Sequence, residues 1–491
     1  MSVKLSLANL EKLPNGVAVP KYPRDNLTAG ILHFGVGNFH RSHQAVYLDR
    51  LFNAGEGHDW AIVGAGVFEG EKAGRERLKQ QDWLTTVVEQ DAGHRQAQVT
   101  GVMIDFLTPG ETVDIIEKLA DPAIRIVSLT ITEGGYFIDP ASGKFNPGHP
   151  DIVADAKNIT RPKTVFGLIL AGLIRRREES LTPFTVMSCD NIPHNGHVTS
   201  DAIVGLAELV ETELAGWVRT NVAFPNAMVD RITPATTDRE RAILAKEFGV
   251  EDGWPVFCEP FMQWVLEDNF TDGRPALEKA GVQFVNDVSP FELMKIRILN
   301  GGHAAIAYPS GLLDIHFVHE GMQEKLVSDF LDKVEQDEII PTVPPVPGTS
   351  LQDYYALVAR RFSNPTIGDT IRRLCLDGSN RQPKFIIPTI ADRLKAGKGI
   401  EGLALESALW CRYCFGTTDS GAVTEPNDPN WERMTTTAKA AKDDPAAWLG
   451  MGDIYGDVGR SPVFAEAFSR HLKALWKDGT RATVERYLNA V

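Results

Sequence analysis

The sequence predicts a two-domain protein, with a mostly parallel α/β sheet domain over residues 1–284 and a mainly α-helical domain over residues 285–491. Three observations lead there. A short apolar run, Ile31-Leu32-His33-Phe34, enters the glycine turn Gly35-Val36-Gly37-Asn38-Phe39-His40, and a helical pattern follows from Gln44 to Phe52. Strand-like runs recur at Ala61–Val63, Ile124–Thr132 and Phe184–Ser188 near helical stretches such as Val113–Leu119, and that alternation argues for a parallel sheet. From about residue 285 the pattern turns to successive helical segments at 290–307, 319–335, 351–361, 386–396, 401–415 and 463–489.

The first strand, turn and helix, with a second strand at βαβ spacing, read as the opening of a Rossmann-type dinucleotide-binding domain. Gly35 supplies a tight turn and Gly37 a close backbone approach, so amides at the helix start, at Asn38 and Phe39, can meet a pyrophosphate. His40 replaces the third glycine of the usual fingerprint, which requires a helix set farther from the strand or an imidazole turned outward. After the second strand, Glu69 or Glu71 can accept from an adenosine ribose and repel a 2′-phosphate, favouring NAD over NADP. The competing reading of Glu71 is a solvated loop, since it opens the charged stretch EKAGRERLKQ.

The 491 residues are too many for one core, and 43% hydrophobic with 23% charged residues is an ordinary soluble composition. A formal charge of −15 argues against a sequence-independent nucleic-acid binder. The longest apolar run, Thr164–Ile174, is well short of the roughly 20 residues a bilayer demands and ends in three arginines, so it reads as a core helix and no membrane contact is expected. No charged region leads into an apolar stretch and cleavage site at the start of the chain, which points to the cytoplasm. Five cysteines, with one lone CxxC at Cys411–Cys414, suggest neither a disulfide framework nor a zinc site. Pro341–Gly348 reads as a stiff joint within the helical domain, and 419–431 as a surface loop.

The chemistry concentrates in Phe291–His303, FELMKIRILNGGH. At about 100° per residue, Glu292, Lys295, Asn300 and His303 fall within an arc of about 140°, while Leu293, Met294, Ile296, Ile298 and Leu299 surround the helix with apolar groups. A lysine there is partly desolvated, and desolvation moves the ammonium from about 10.4 toward the neutral range a general base needs. The spacing also fits a surface Glu292–Lys295 pair at i, i+3. None of the nine tyrosines is followed four residues later by Lys, which excludes the usual short-chain dehydrogenase dyad, and Cys and His do not cluster as a catalytic zinc requires. If a nicotinamide binds, the remaining solution is a metal-free base, with Lys295 the best candidate. Three further polar clusters, Ser188-Cys189-Asp190-Asn191, Phe224–Pro234 with its Asp230-Arg231 pair, and Arg373–Lys384, are each open to a structural reading.

These residues resemble the polyol-specific long-chain dehydrogenase/reductase family along nearly the whole chain. The matching segments are GVGNFHRSHQAVY (35–47), SLTITEGGY (128–136), FTVMSCDNIPHNG (184–196), FPNAMVDRITP (224–234), FELMKIRILNGGH (291–303) and DGSNRQPKF (377–385). The resemblance implies a Rossmann-type domain, a helical domain, a site in the cleft between them, and reversible metal-independent oxidation of D-mannitol to D-fructose with NAD. Lys295 would be the base, Asn191 and Asn300 would hold the developing oxygen, and His303, Asp230 and Arg373 would bind sugar hydroxyls. Glu292 would pass the proton toward solvent and Glu133 would gate that path. Family members can work as single chains, so no obligate protein partner is expected. Where related members usually carry Lys, this chain has Arg381, a planar fork rather than an ammonium. That leaves D-sorbitol, D-arabinitol and a hexuronate such as mannonate as alternative substrates. A non-catalytic dinucleotide sensor would keep the glycine turn but have no reason to keep Lys295, Asn191, Asn300 and His303 together.

Overall fold

The computed structural model describes residues 2–139 and 143–490, and the chain divides into two compact units between Ser289 and Pro290. The first is built on five strands, β1 (Ala29–Phe34), β2 (Ala61–Ala65), β3 (Met103–Phe106), β4 (Ile126–Leu129) and β5 (Thr185–Ser188). They pair in the order β3-β2-β1-β4-β5, every pair parallel. This is the Rossmann order, with its topological switch point between β1 and β4. Alternate residues feed opposite apolar layers: Leu32, Phe34, Val127, Leu129 and Val186 join one cluster, Ile31, Ile126 and Met187 the other. Burial on both faces is why these strands read as continuous apolar runs.

Helices α1 (Asn38–Ser42) and α2 (Gln44–Asn53) follow β1. The apolar run after Thr164 is α3 (Val165–Glu178), capped by the Thr164 hydroxyl on the Gly167 amide. Its basic end is partly internal, because buried Arg176 donates to the carbonyls of Leu119, Asp121, Ile124 and Thr182. Helix α4 (Asn195–Val210) follows β5. Several strands lie outside the sequence expectation. β3 is one, and an antiparallel hairpin, Thr85–Asp91 with His94–Thr100, turns through Ala92-Gly93 with Gly93 at φ +78. A three-stranded sheet also forms from β6 (Ala227–Asp230), Gln263–Glu267 and Gln283–Val285.

The second unit is helical, as expected, and its leading helix is not uniform. An α-helical start, Ser289–Met294, passes into a π-helical turn, Lys295–Asn300, and then α5 (Gly301–Leu312). Three elements pack on the π turn: a second π turn at Glu335–Ile339, α6 (Leu351–Phe362) and α7 (Gly378–Phe385). Helix α8 (Glu401–Cys414) packs beside α5 and against the long helix Pro462–Leu488, which is kinked at Gly479. No helix among the described residues is long and apolar enough to cross a membrane.

Candidate active site

The glycine turn sits at the switch point. Gly35 has φ +92, and a Cβ there would fall 2.0 Å from the Thr130 carbonyl at the end of β4, so conformation and space both demand glycine. Gly37 has ordinary backbone angles, and the nearest atom to a Cβ there is 3.7 Å away. Its value is the open approach to the amides beyond it, which suits a pyrophosphate. The Asn38 side chain donates to the Pro234 carbonyl and accepts from Arg41, and the Phe39 ring stacks on His43.

His40 does not turn outward, as one reading of the sequence had it. Its imidazole points inward, fully buried, and stacks on His33 with ring centroids 3.5 Å apart. The helix tolerates the bulk because the rings lie nearly parallel and His40 Nδ1 meets Gln44 Oε1 at 3.1 Å. Burial pushes His33 down to about 3 and His40 well below its ordinary value, so the stack is neutral.

Beyond β2 the two acids separate in role. One oxygen of Glu71, Oε2, takes the amides of Val67 (2.9 Å) and Phe68 (2.8 Å), closing the loop over Gly66. It is therefore not the freely solvated loop residue its charged surroundings suggested. Glu69 is solvent-facing, with a side chain 84% exposed and paired with Lys72 three residues on.

At the end of β5, the contacts of Asp190 organise the loop. Its carboxylate accepts from the amides of Ile131 (2.9 Å) and Thr132 (2.8 Å) and from the Tyr136 hydroxyl (2.6 Å). Thr132 is held at φ +65, which a β-branched residue avoids, and Asp190 compensates that strain. Exposed Glu133 follows within this pinned turn, and Asn191 is exposed beside the anchor. Burial pushes Asp190 up, and its three hydrogen bonds oppose the shift.

The segment Phe224–Pro234 is an architectural clamp around one candidate ligand. Asn226 Oδ1 accepts from the amides of Gly196 and His197 at the start of α4, and Asn195 bonds both the Asp190 carbonyl and the backbone of Ala227. Arg231 is buried and spends its fork on Glu89 and the carbonyls of Ser42 and Glu259. Asp230, at the C-terminal end of β6, is buried beside it.

In the second unit the candidate residues converge. Lys295 is 8% exposed, and Glu292 lies buried one turn before it. On a straight α-helix Asn300 would stand about 140° around from Lys295. The π turn changes this: the Gly301 amide reaches back five residues to the Ile296 carbonyl, so five residues make little more than one turn and Asn300 comes round to the side of Lys295. Gly302 leaves room for the buried Glu335, whose Oε1 would lie 3.0 Å from a Cβ there. His303 is half-buried and stacks on Phe362, with centroids 4.2 Å apart. Burial, and then the charges of Arg373, Arg361 and Arg381, push it well below its ordinary value. A neutral imidazole among three guanidiniums is a hydrogen-bonding group rather than a fourth cation. Arg373 is held bidentately by Asp369, and Arg381 Nη1 donates to the carbonyls of Arg373 (3.3 Å) and Leu374 (3.4 Å).

Sequence reasoning missed Arg361, whose only signal was a basic C-terminal turn on an amphipathic helix, and passed over Asp190 within a cluster it had marked. No group of three His, Cys, Asp or Glu residues that could hold a metal occurs among the described residues. All five thiols are buried, and burial pushes each upward.

Two family models cover the chain: the mannitol dehydrogenase Rossmann domain matches residues 29–279, and the mannitol dehydrogenase C-terminal domain residues 287–476. A mannitol 2-dehydrogenase of Cereibacter sphaeroides is 60% identical over 480 residues, covering 97% of this chain and all of the relative. The solved ternary complex of Pseudomonas fluorescens mannitol 2-dehydrogenase with NAD and D-mannitol superposes with a TM-score of 0.88 at 42% identity, and each chain is fully covered. A substrate-free D-sorbitol dehydrogenase gives 0.91 at 35% identity, covering 98% of this chain and all of that one. With both domains matched and identity sustained over the full length, the chain belongs to the mannitol dehydrogenase family.

Proposed function

We propose that this protein catalyses the reversible, NAD-dependent oxidation of D-mannitol to D-fructose without a metal ion. The observation that carries the reading is Lys295, buried on a π turn that brings Asn300 to its side, with His303 farther along the same helix. NAD, when bound, accepts the hydride from C2. The Lys295 amine takes the proton of the C2 hydroxyl, and the side-chain amides of Asn191 and Asn300 donate to the oxygen as it gains carbonyl character. Glu292 receives the proton from Lys295 on its way to solvent, and Glu133, on the turn pinned by Asp190, gates the outlet. His303, Asp230, Arg373 and Arg381 hold the remaining hydroxyls. Gly35, Gly37, Asn38 and Phe39 form the pyrophosphate turn, and Glu69 or Glu71 accepts from the ribose, with Glu69 favoured by its exposure. The guanidiniums around His303 favour one second reading, a sugar acid such as mannonate.

The test is initial-rate spectroscopy of nicotinamide reduction with mannitol, sorbitol, arabinitol and mannonate, each with NAD and NADP, with and without chelator. Mannitol with NAD as the fastest pair, indifferent to chelator, is the expected result. Mannonate as the best substrate would move the protein to the sugar-acid reading, and activity lost to chelator and restored by zinc would overturn the metal-free base.

A further inference from the structure

The two glycine carbonyls of the cofactor turn are held by different means. The Gly35 carbonyl accepts from the Thr130 hydroxyl (2.7 Å) and the Gly37 amide (2.7 Å) and meets His33 Nε2 at 3.2 Å. The Gly37 carbonyl accepts twice from one residue, from the Arg41 amide at 3.3 Å and from Arg41 Nε at 3.2 Å. The rest of that guanidinium is committed as well. Nη2 donates to Asn38 Oδ1 at 2.8 Å, Nη1 donates to the Trp254 carbonyl, and the guanidinium carbon sits over the Trp254 ring, 3.9 Å from its centroid. The amide end of Asn38 is tied in turn to the Pro234 carbonyl at 3.0 Å.

Arg41 is fully buried, and none of these acceptors is a carboxylate. Asp252, the acid that acts on it, commits its own oxygens to the amides of Thr86 and Trp254 and to the side chain of Gln81. A guanidinium buried on neutral acceptors is unfavourable, and an apolar side chain of like volume would fill the space without that penalty. What the fork adds is the direction of one peptide. The 37–38 peptide is trans, and in a trans peptide the carbonyl oxygen and the amide hydrogen point opposite ways. Two donors on the Gly37 carbonyl therefore set where the Asn38 N–H points, and that N–H is one of the two assigned to pyrophosphate. Without them the peptide would be free to turn a carbonyl, which repels phosphate, toward the ligand. We propose that Arg41 is a positioning residue for the cofactor: its fork, braced on Trp254, holds the Gly37 carbonyl and the Asn38 side chain so that the Asn38 amide stays presented to the pyrophosphate. This rests on the assignment of the glycine turn to that group.

The experiment compares Arg41→Lys and Arg41→Met with wild type. It reads the Kd for NADH by fluorescence, inhibition by ADP-ribose and by adenosine in competition with NAD, kcat at saturating NAD, and the melting temperature. Arg41→Lys keeps the stem and the charge but loses the fork. It should raise the NADH Kd and the ADP-ribose inhibition constant about tenfold, the size of one hydrogen bond to a charged acceptor. Adenosine, which lacks the pyrophosphate, and kcat should stay within about twofold. Arg41→Met removes the charge too and should weaken NADH and ADP-ribose at least as much, and the lysine variant carries the test by itself if the methionine variant does not fold. ADP-ribose binding at wild-type strength in Arg41→Lys would overturn the positioning role. So would a fall in melting temperature with adenosine and ADP-ribose weakened alike, the mark of a merely structural residue. If wild type itself bound neither NADH nor ADP-ribose, the assignment of the turn would fall instead.

Discussion

The Tyr136 hydroxyl donates to Asp190 Oδ2 at 2.6 Å, tying the turn after β4 to the loop after β5, and the same carboxylate takes the amides of Ile131 and Thr132. Asp190→Ala would leave three donors without their acceptor, the buried Tyr136 hydroxyl and the partly buried amides of Ile131 and Thr132, and release a threonine from positive φ. A loss of about 2 kcal/mol is expected, read as a lower denaturant midpoint, with a fall in kcat because Glu133 and Asn191 flank the anchored segments. An unchanged midpoint would mean that other contacts hold the turn.

Gly35 and Gly37 should respond differently to alanine. At Gly35 a Cβ would meet backbone at 2.0 Å from an unfavourable φ, so Gly35→Ala should cost stability as well as cofactor affinity. At Gly37 the chain has room, so Gly37→Ala should keep the melting temperature and weaken NADH binding alone, by about tenfold if a methyl group obstructs the phosphate approach. Thermal melting with NADH titration by fluorescence separates the two, and equal effects in both assays for the two variants would remove the distinction.

Glu69 and Glu71 divide one expectation into two roles. Glu69→Ala should raise the KM for NAD about tenfold, equivalent to one hydrogen bond to a charged acceptor, and narrow the preference over NADP. Glu71→Ala should unpin the amides of Val67 and Phe68 and lower stability. Retained NAD preference in Glu69→Ala, with its loss in Glu71→Ala, would reverse the assignment.

The parts of the fold that were legible are those whose sequence pattern matches their burial. Strands β1, β2, β4 and β5 are buried on both faces and show as apolar runs, and the helical half announces itself by period. β6 was hidden because Ala227–Asp230 ends in a charged pair whose arginine is buried by three acceptors, a pairing that no linear pattern reveals. The direction of His40 was hidden too, since only the partner ring of His33 makes burial acceptable. The helix wheel grouped Glu292, Lys295, Asn300 and His303 on one arc but assumed uniform α geometry, where the structure has a π turn. The π turn depends on how Gly301 and Gly302 pack against Ile339 and Glu335, contacts that come from far along the chain.

Lys295→Ala should lower kcat by a factor of 10² to 10⁴, the usual contribution of a positioned general base, and leave NADH binding intact. Asn300→Ala should lower kcat by roughly 10² to 10³, as for one lost oxyanion donor. External primary amines should restore part of the Lys295→Ala rate and none of the Asn300→Ala rate. Strong residual turnover in Lys295→Ala without added amine would defeat the base assignment.

Glu406 makes a prediction about stability against pH. Burial pushes its carboxyl up to about 8, with the bond from Gln382 opposing, while an unfolded glutamate titrates near 4.3. Between those values the folded chain keeps a proton that the unfolded chain has released, so this group removes stability as pH rises through that window and adds nothing further above it. In the limit the loss is roughly 5 kcal/mol. The other titratable groups that sense Glu406, Tyr308 and Tyr455, are themselves raised by burial and stay neutral throughout. Glu406→Gln removes the titration, so its denaturant midpoint relative to wild type should climb steadily between pH 5 and pH 8. A difference that is the same at both pH values would show that the carboxyl does not titrate there and that its burial is compensated by more than the Gln382 amide.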